Sequence, residues 1–397
     1  MKRLKSINKG TIGLYLEVFM LIFISVTPLI NQEIKSVVLL FDFLINIKYL
    51  FTKSSKRNTY FLILFIIFCL IIVYLDLMFS KSILGIQLLS LYIPLVFINS
   101  YTIANKYSFR EFILAFEKII FFTAIFSVVG VFIYTFAPQI VPRLITYTNK
   151  HTTHKTAIFF NILVSEGLPL KRNSGIAWEP GVYQLLINIA LYTYYFIKNE
   201  KKSVFVVIFY AFIILTTLST VGLLILGIIF VRIMIDNKKI MTVSLYGLAF
   251  FSPVLYEVIE YQIRNKLVGS SSFSQRFIPF MNGMNVMFKY PFGLGNFKFI
   301  EYFEVILPPW DAIAQMVARY GVYFLIFYLA AFIINNEKRL GLIVIFVLTF
   351  FSQNIWLFPM TIPFIFLNNQ KLTKTSTKLD VQQDSNLSNH KIQEVAS

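Results

Sequence analysis

At 397 residues, 57% hydrophobic, 17% aromatic and only 14% charged, with a mean hydropathy of +0.71, the chain lies outside the range of soluble globular proteins. Its net charge of +17 (36 basic, 19 acidic) would point to nucleic acid in a soluble domain. Here most basic residues fall in short loops between apolar runs, a positive-inside bias that orients a membrane protein and argues against a nucleic-acid partner.

The apolar runs at 60–75 and 204–215 are hydrophobic on every face, so the expected crossing elements are helices, not the alternating strands of an outer-membrane barrel. In chain order, spans are predicted at 11–30, 36–52, 59–79, 83–103 and 113–137. Further spans follow at 180–197, 203–218, 220–235, 240–256 and 312–334, and a last apolar block covers 340–367. The basic Met1 to Lys9 precedes a run of full span length without a small-residue cleavage pattern, so the first run reads as a span rather than a cleaved signal. Lys35, Asp42 and Lys48 interrupt the second run, which would also suit an interfacial helix; the charge distribution favours a crossing. The inner loops then carry Lys53, Lys56 and Arg57, Lys106 and Arg110, Lys198, Lys201 and Lys202, Lys238 and Lys239, and Lys338 and Arg339. The short outer loops hold only Lys35 and Lys81. In the last block Ser352, Gln353, Asn354, Pro359 and Pro363 predict two short pieces or a re-entrant pair. The polar tail, 368–397, is expected to be disordered and cytoplasmic.

The expected class is therefore all-α and polytopic, with about eleven to twelve membrane helices. Helices fill 1–137, 180–256 and 312–367, and two long external loops fill 138–179 and 257–311. Cys69 is the single cysteine, so no disulfide framework exists.

The two outer segments carry the candidate chemistry. The first ends in Lys171-Arg172-Asn173-Ser174-Gly175-Ile176-Ala177-Trp178-Glu179-Pro180-Gly181, a helix entrance with Pro180 at the first helical position and Glu179 beside the positive helix end. Lys171 and Arg172 stand where the charge bias would not put cations. They either meet a phosphate, carboxylate or headgroup, or snorkel at the interface. In the second segment Phe273, Phe277, Phe280, Met284 and Met287 recur at helical spacing. They predict an amphipathic helix in the outer interface, with Arg276, Asn282, Asn285 and Lys289 on its polar side. Gly293 and Gly295 allow a tight turn, and Pro308-Pro309-Trp310-Asp311 makes a second helix entrance on the same side.

In this order the pieces resemble the O-antigen ligase and polymerase superfamily, which includes the Wzy polymerases and WaaL-type ligases. Arg172, Gly175, Glu179 and Pro180 match its Arg, Gly and Glu-Pro before a mid-chain span. Thr217-Leu218-Ser219-Thr220-Val221-Gly222 matches its Thr/Ser-rich span end. Arg276, Pro291, Gly293 and Gly295 match its outer-loop Arg and Pro-x-Gly-x-Gly turn, and Trp310-Asp311 to Gly321 match its last helix. The resemblance covers 171–321. Ligase-type members often have His-Asn where this chain has Trp310-Asp311, and an Arg where it has Thr220, so no catalytic His carries over and a polymerase fits better.

The resemblance implies a GT-C-like enzyme without metal or cofactor, in the bacterial cytoplasmic membrane with its N-terminus inside. It would join undecaprenyl-diphosphate-linked oligosaccharide units, as donor and acceptor, into O-antigen, capsule or exopolysaccharide on the outer face. Membrane lipid, a chain-length regulator and a flippase are the further expected partners. Such a transfer needs cations for the leaving diphosphate and a base for the acceptor hydroxyl. Arg172 and Arg276 are the expected diphosphate ligands, Lys171 and Lys289 are further cations, and Glu179 or Asp311 is the base or orients an Arg. A ligase of the same superfamily and a flippase or other transporter are the alternative readings.

Several other residues invite chemistry. His151 and His154 could ligate a metal or serve as a base, but no third ligand is near in sequence, and a polar loop is the better account of them. Asp42, Asp76 and Glu117, within or at the ends of apolar runs, read either as the relay residues of a transporter, or as interfacial groups or partners of Lys48 and Lys118. Tyr192, Tyr194 and Tyr195 read as an interfacial belt.

Overall fold

The computed structural model describes residues 9–52, 55–79, 83–148, 153–157, 160–164, 172–236, 242, 260, 271–304 and 306–367. Apart from residue 242, the span expected at 240–256 lies outside the described residues, as does the tail 368–397. The early apolar runs become α1 (Lys9–Val26), α2 (Gln32–Asn46), α3 (Lys56–Phe79), α4 (Ile83–Lys106) and α5 (Phe109–Phe136). The start of α5 follows from a Ser-x-x-Glu signal: Ser108 N donates to Glu111 Oε2 at 2.8 Å while Glu111 N donates back to Ser108 Oγ, so two donors at the helix end are satisfied. Lys56–Met78 and Phe109–Phe136 are long and apolar enough to cross a membrane, and shorter apolar helices accompany them. The mostly helical fold is compatible with an all-α membrane protein.

A four-stranded antiparallel meander modifies the all-α expectation. Within the expected first loop, β1 (Ile145–Thr148), β2 (Thr153–Ala157), β3 (Phe160–Val164) and β4 (Arg172–Gly175) pair in sequence order. The short Thr-rich and β-branched runs favour strands, and β2 buries alternate residues, His154 and Thr156. Phe160 seats the sheet on α5: a Cβ at Gly130 would lie 2.5 Å from its ring.

From the sheet the chain enters α6 (Pro180–Tyr192), in which every residue is buried. A π-helical turn at Thr193–Ile197 continues it, and α7 (Val204–Thr216) and α8 (Thr220–Asp236) follow. Helices α5, α7 and α8 surround α6, which is why it carries no outward face. Tyr192 and Tyr194 are buried as well, and Tyr194 accepts from Ser203 N at 2.7 Å, so these two pack within the protein instead of forming a belt.

The acids inside apolar runs have partners other than those the sequence brings to mind. Glu17 meets Lys106 Nζ at 2.6 Å and the Tyr107 hydroxyl at 2.8 Å. Asn99 Nδ2 donates to Asp42 at 2.7 Å. Glu117 takes the Tyr210 hydroxyl at 3.1 Å and faces Lys198 Nζ at 3.7 Å. Lys48 and Lys118 lie instead over the rings of Tyr49 and Tyr15. Helix neighbours in space, not in sequence, satisfy these charges.

The second outer segment is largely helical, with α9 (Ser271–Lys289) and α10 (Gly295–Tyr302). The expected apolar face of α9 is not its packing face. Pro279, Gly283 and Val286 are buried, whereas Phe277 is exposed and Met284 and Met287 are only partly covered. Small residues allow the close approach: a Cβ at Gly283 would lie 2.8 Å from Ala314.

The single helix expected at 312–334 is two, α11 (Ala312–Tyr320) and α12 (Val322–Asn336), divided at Gly321 with φ +88°. The break docks the Pro-x-Gly-x-Gly turn. Leu294 N donates to Ala318 O at 2.9 Å and Val322 N to Pro291 O at 3.0 Å, and a Cβ on Gly321 would lie 2.2 Å from the Pro291 carbonyl.

After α13 (Leu340–Phe350) the chain runs through turns to one helical turn, α14 (Pro363–Phe366), as the Asn and Pro residues of the last block predict. So short a helix leaves its carbonyls without intrahelical donors. Asn58 Nδ2 donates to Phe366 O at 2.6 Å, Asn336 Nδ2 to Phe364 O at 2.8 Å, and Asn335 Nδ2 to Ile365 O. Arg339 donates to Leu367 O at 3.3 Å, so Leu367 ends beside the α12–α13 connection. Asn58, Lys106 and Arg339 therefore mark one end of the bundle, and the sheet marks the other.

Candidate functional site

Two helix entrances converge at the sheet end. Trp178 N donates to Val26 O at 2.8 Å, tying the β4–α6 turn to the end of α1. Glu179 is the N-cap of α6 and Pro180 the first helical residue, yet the Glu179 side chain makes no cap bond. Its Oε1 accepts from Gln353 Nε2 at 3.2 Å. Gly181 makes this reach possible, because a Cβ there would lie 2.1 Å from Gln353 Nε2.

The neighbouring residue carries the contact onward. Asn354 Nδ2 donates to Gln315 Oε1 at 2.9 Å, and Gln315 Nε2 donates to Pro309 O at 2.8 Å. Gln315 lies on α11, whose N-cap, Asp311, accepts from Ala314 N at 2.7 Å. Burial raises the Asp311 carboxyl above its ordinary range, and the Ala314 amide opposes that rise. Glu179 and Asp311 thus belong to one polar assembly, bridged by Gln353, Asn354 and Gln315. Their situations differ: Asp311 is buried and used as a helix cap, while Glu179 is half-buried and has no cap duty.

Arg172 stands on β4, with Nε donating to the Thr217 carbonyl at 3.1 Å. Beside it Asn173 Nδ2 donates to Thr216 Oγ1 at 3.0 Å. Both bonds hold the α7–α8 turn, where Leu218 has φ +49°, a left-handed conformation that costs a β-carbon-bearing residue about 1 kcal/mol. Gly175, at φ +50°, packs where a Cβ would lie 2.1 Å from the Tyr183 ring. The Tyr183 hydroxyl donates to Ser127 Oγ at 2.8 Å. The Arg-Gly-Glu-Pro string is therefore a rigid connection between the sheet and α6.

The remaining sequence candidates are less closely gathered. Lys171 lies outside the described residues, and Arg276 is placed on α9 by its backbone alone. Lys289 is exposed in the last turn of α9, near the end of α11 remote from Asp311. His154 is buried in β2, where burial lowers its pKa; His151 lies outside the described residues. Among the described residues no cluster of three His, Cys, Asp or Glu side chains could hold a metal ion. Asp76, at the end of α3, accepts from Asn296 N at 2.6 Å, Asn296 Nδ2 at 2.9 Å and Phe297 N at 3.2 Å. It is the anionic cap of α10, and this role accounts for its place at the end of an apolar run.

Two further cations come to this end without any warning in the sequence. Lys35 and Arg319 line a cavity of about 210 Å³ together with Gln315, Asn354, Tyr320 and Trp356. From the sequence Lys35 reads as an outer-loop charge that also interrupts the second apolar run, and Arg319 as part of a spanning helix. Burial lowers the Lys35 pKa, so its ammonium is incompletely hydrated. Compared with protein-family models, curated proteins and solved structures, the chain matches none of them.

Proposed function

We propose that this chain is a polytopic enzyme of the bacterial cytoplasmic membrane, a polysaccharide polymerase that joins lipid-diphosphate-linked oligosaccharide repeat units on the outer face. Its resemblance to the O-antigen polymerases supports the reading, and so does the distribution of surfaces. Ile63, Leu70 and Leu77 on α3, Phe122, Val129 and Phe136 on α5, and Leu224, Val231 and Ile235 on α8 are exposed. Such outward apolar stripes on successive helices suit lipid contact and would be a liability in water. The basic connections cluster at the end opposite the sheet, which suits a sheet facing outward.

The observation that carries the reading is the half-buried Glu179 carboxylate, held by Gln353 at the end of the bundle that also holds Arg172. In the proposed transfer an acceptor hydroxyl attacks the anomeric carbon of the donor. The anomeric carbon–oxygen bond breaks, and the lipid diphosphate leaves with the bonding electrons. Glu179 takes the hydroxyl proton as the new glycosidic bond forms. Arg172 and Arg276 act on the developing phosphate charge, for which a guanidinium is suited because its planar fork meets two oxygens and stays charged.

The test is gel analysis of surface polysaccharide from a strain lacking the gene, complemented with wild type or Glu179→Gln. The expected result is a ladder with wild type and a single repeat unit with the variant at equal protein level. An undiminished ladder in the deletion strain would overturn the proposal. Units held on the inner face would mean transport, and long chains left on their lipid carrier would mean ligation.

A further inference from the structure

A second cavity lies toward the end of the bundle opposite the sheet, and it is polar at one end only. It is a groove of about 130 Å³ between α8 and α13, with Tyr192 and Phe196 as its floor. On α8 it runs from Ile225 past Ile228 and Ile229 to Arg232, and on α13 from Ile345 and Val344 to Gly341 and Leu340. The two helices run in opposite directions. α8 starts beside the sheet, where the Thr217 carbonyl holds Arg172, and α13 starts beside Arg339 at the other end. Arg232 and Gly341 therefore share the end with the basic connections, while Ile225 and Ile345 lie deeper in the bundle. Ile228 and Leu340 are exposed along the rim, as are Leu224 and Val231 beside them on α8, so the groove opens on an apolar stripe of the kind that suits lipid.

Arg232 is exposed yet held in place. Its guanidinium carbon lies 4.5 Å from the centre of the Phe196 ring, and it donates to the Tyr192 hydroxyl, which also takes the Gly341 amide. Gly341 keeps the floor closed, because a Cβ there would lie 2.1 Å from the Tyr192 ring. One hydroxyl occupies one of the guanidinium's roughly five donors and leaves its charge unmatched. Asp236 and Glu337 are exposed toward the same end, but among the described residues no carboxylate is within ion-pair distance of Arg232. A fixed cation at the mouth of an apolar slot asks for an anionic head joined to a hydrocarbon tail.

We propose that this groove binds one anionic phospholipid of the cytoplasmic leaflet, with its phosphate on Arg232 and one acyl chain lying along Ile228 and Val344 toward Ile225 and Ile345. Basic pockets between membrane helices on the cytoplasmic side suit such headgroups. The slot extends about 10 Å along α8, from Ile225 to Arg232 at roughly 1.5 Å per residue, and its small volume fits a single flexible chain, not a helix about 10 Å across. The apolar run 240–256, next in sequence after α8, contains no carboxylate and so offers Arg232 no anion. The site rests on the membrane orientation proposed above and not on the polymerase chemistry, which belongs to the sheet end. A lipid bound there joins α8 to α13 across the floor of α6, the helix that begins at Glu179.

The test uses the full-length protein released from detergent micelles in native mass spectrometry, titrated with dioleoyl phosphatidylglycerol, dioleoyl phosphatidylcholine or glycerol phosphate. Phosphatidylglycerol should bind about tenfold more tightly than phosphatidylcholine, the expected effect of one charge-assisted contact. Arg232→Gln should remove that preference and Arg232→Lys should keep most of it, which separates charge from folding. Val344→Trp, which fills the slot and leaves the cation, should weaken phosphatidylglycerol binding about tenfold as well. Equal affinity for the two lipids would overturn the assignment, and so would an Arg232→Gln variant that keeps the preference. Displacement of the lipid by glycerol phosphate would leave an anion site without a chain groove. A dimer that excludes lipid would give the groove to a second copy, and absence of lipid binding with an unfolded Val344→Trp would give it to the 240–256 run; each of these results also overturns the proposal. The assay needs no polymerisation. A phosphatidylglycerol preference in a protein whose deletion leaves the ladder intact would sink the polymerase reading and leave the lipid site standing.

Discussion

Gln353 Nε2 lies 3.2 Å from Glu179 Oε1, and the two residues are 174 positions apart. A carboxylate at a helix entrance usually turns back to cap the helix, and this one is drawn away by an amide from the last irregular segment. If Glu179 is the base, its orientation depends on that amide. Gln353→Ala should leave protein levels normal and lower polymer formation by about a hundredfold, the expected cost of a misplaced reacting group. Glu179→Gln, which can keep the contact but not the proton transfer, should abolish polymer. Radiolabelled sugar incorporation in membranes reads both, and a Glu179→Gln variant with wild-type incorporation would exclude the role.

Asp311 separates differently. Its side chain caps α11 through Ala314 N, a role that asparagine fills nearly as well. Asp311→Asn should therefore fold and polymerise, whereas Asp311→Ala should lose about 1 kcal/mol of stability. Because burial raises the carboxyl pKa above the ordinary 3.8, the protonated form adds stability that is complete below that value. This contribution is lost as pH rises through the raised value. Thermal unfolding in detergent from pH 4 to 8 should fall more steeply for wild type than for Asp311→Asn. Equal slopes would mean that the carboxyl is not strained by burial.

The helices were legible because their cause is local: an apolar run of span length has few alternatives to a helix. The meander was missed because each strand is four or five residues long and its pairing partners come from other short strands, so alternation is barely visible. The break at Gly321 is likewise non-local. Nothing in Tyr320-Gly321-Val322 announces a split helix, and the reason is the turn at Pro291 that docks there. Glu179 and Asp311 could be read as helix entrances from their prolines and carboxylates. Gln353, Asn354, Lys35 and Arg319 could not, because they join the site only through tertiary packing of three distant segments.

That docking of Gly293 on Gly321 gives a third prediction. Both residues have positive φ, and a Cβ on Gly293 would lie 2.4 Å from the Arg319 carbonyl. The obstacle is backbone on each side, which cannot rotate away. Gly293→Ala or Gly321→Ala should each destabilise the protein by about 2 kcal/mol or more, combining strain in the left-handed region with steric overlap. Gly13→Ala, with open space around its Cβ position, is the matched control and should be neutral or slightly stabilising. Unfolding midpoints for the three variants would decide it, and a stable Gly321→Ala would show that the two turns do not touch as described.

Asp76 and Asn296 supply a fourth. The carboxylate serves three donors at the start of α10, and Asn296 in turn accepts from the Tyr320 hydroxyl at 3.0 Å. Asp76→Ala leaves buried backbone donors unmet at about 1–3 kcal/mol each, so the loss should reach about 3 kcal/mol or more. Tyr320→Phe removes one neutral bond and should cost about 1 kcal/mol. In the double variant the two losses should not add, because both act on Asn296. Strict additivity in a double-mutant cycle would mean that the network does not connect α3, α10 and α11.

The sheet should report pH through His154. It is buried in β2, and burial holds its pKa below the ordinary 6.5. A neutral histidine that must charge on unfolding favours the folded sheet above pH 6.5, and this contribution is lost as pH falls through the lowered value. Acidification from pH 7.5 to 5 should therefore speed amide exchange in β2 and in its partners Ile145–Thr148 and Phe160–Val164, which pair with it on either side. His154→Leu keeps an apolar side chain at the inward position and removes the titration, so its exchange in β2 should change much less over the same range. Exchange in α6 is the internal reference, since that helix is buried along its whole length and has no histidine. Acid-accelerated exchange in β2 of His154→Leu equal to that of wild type would show that the sheet's pH response originates elsewhere.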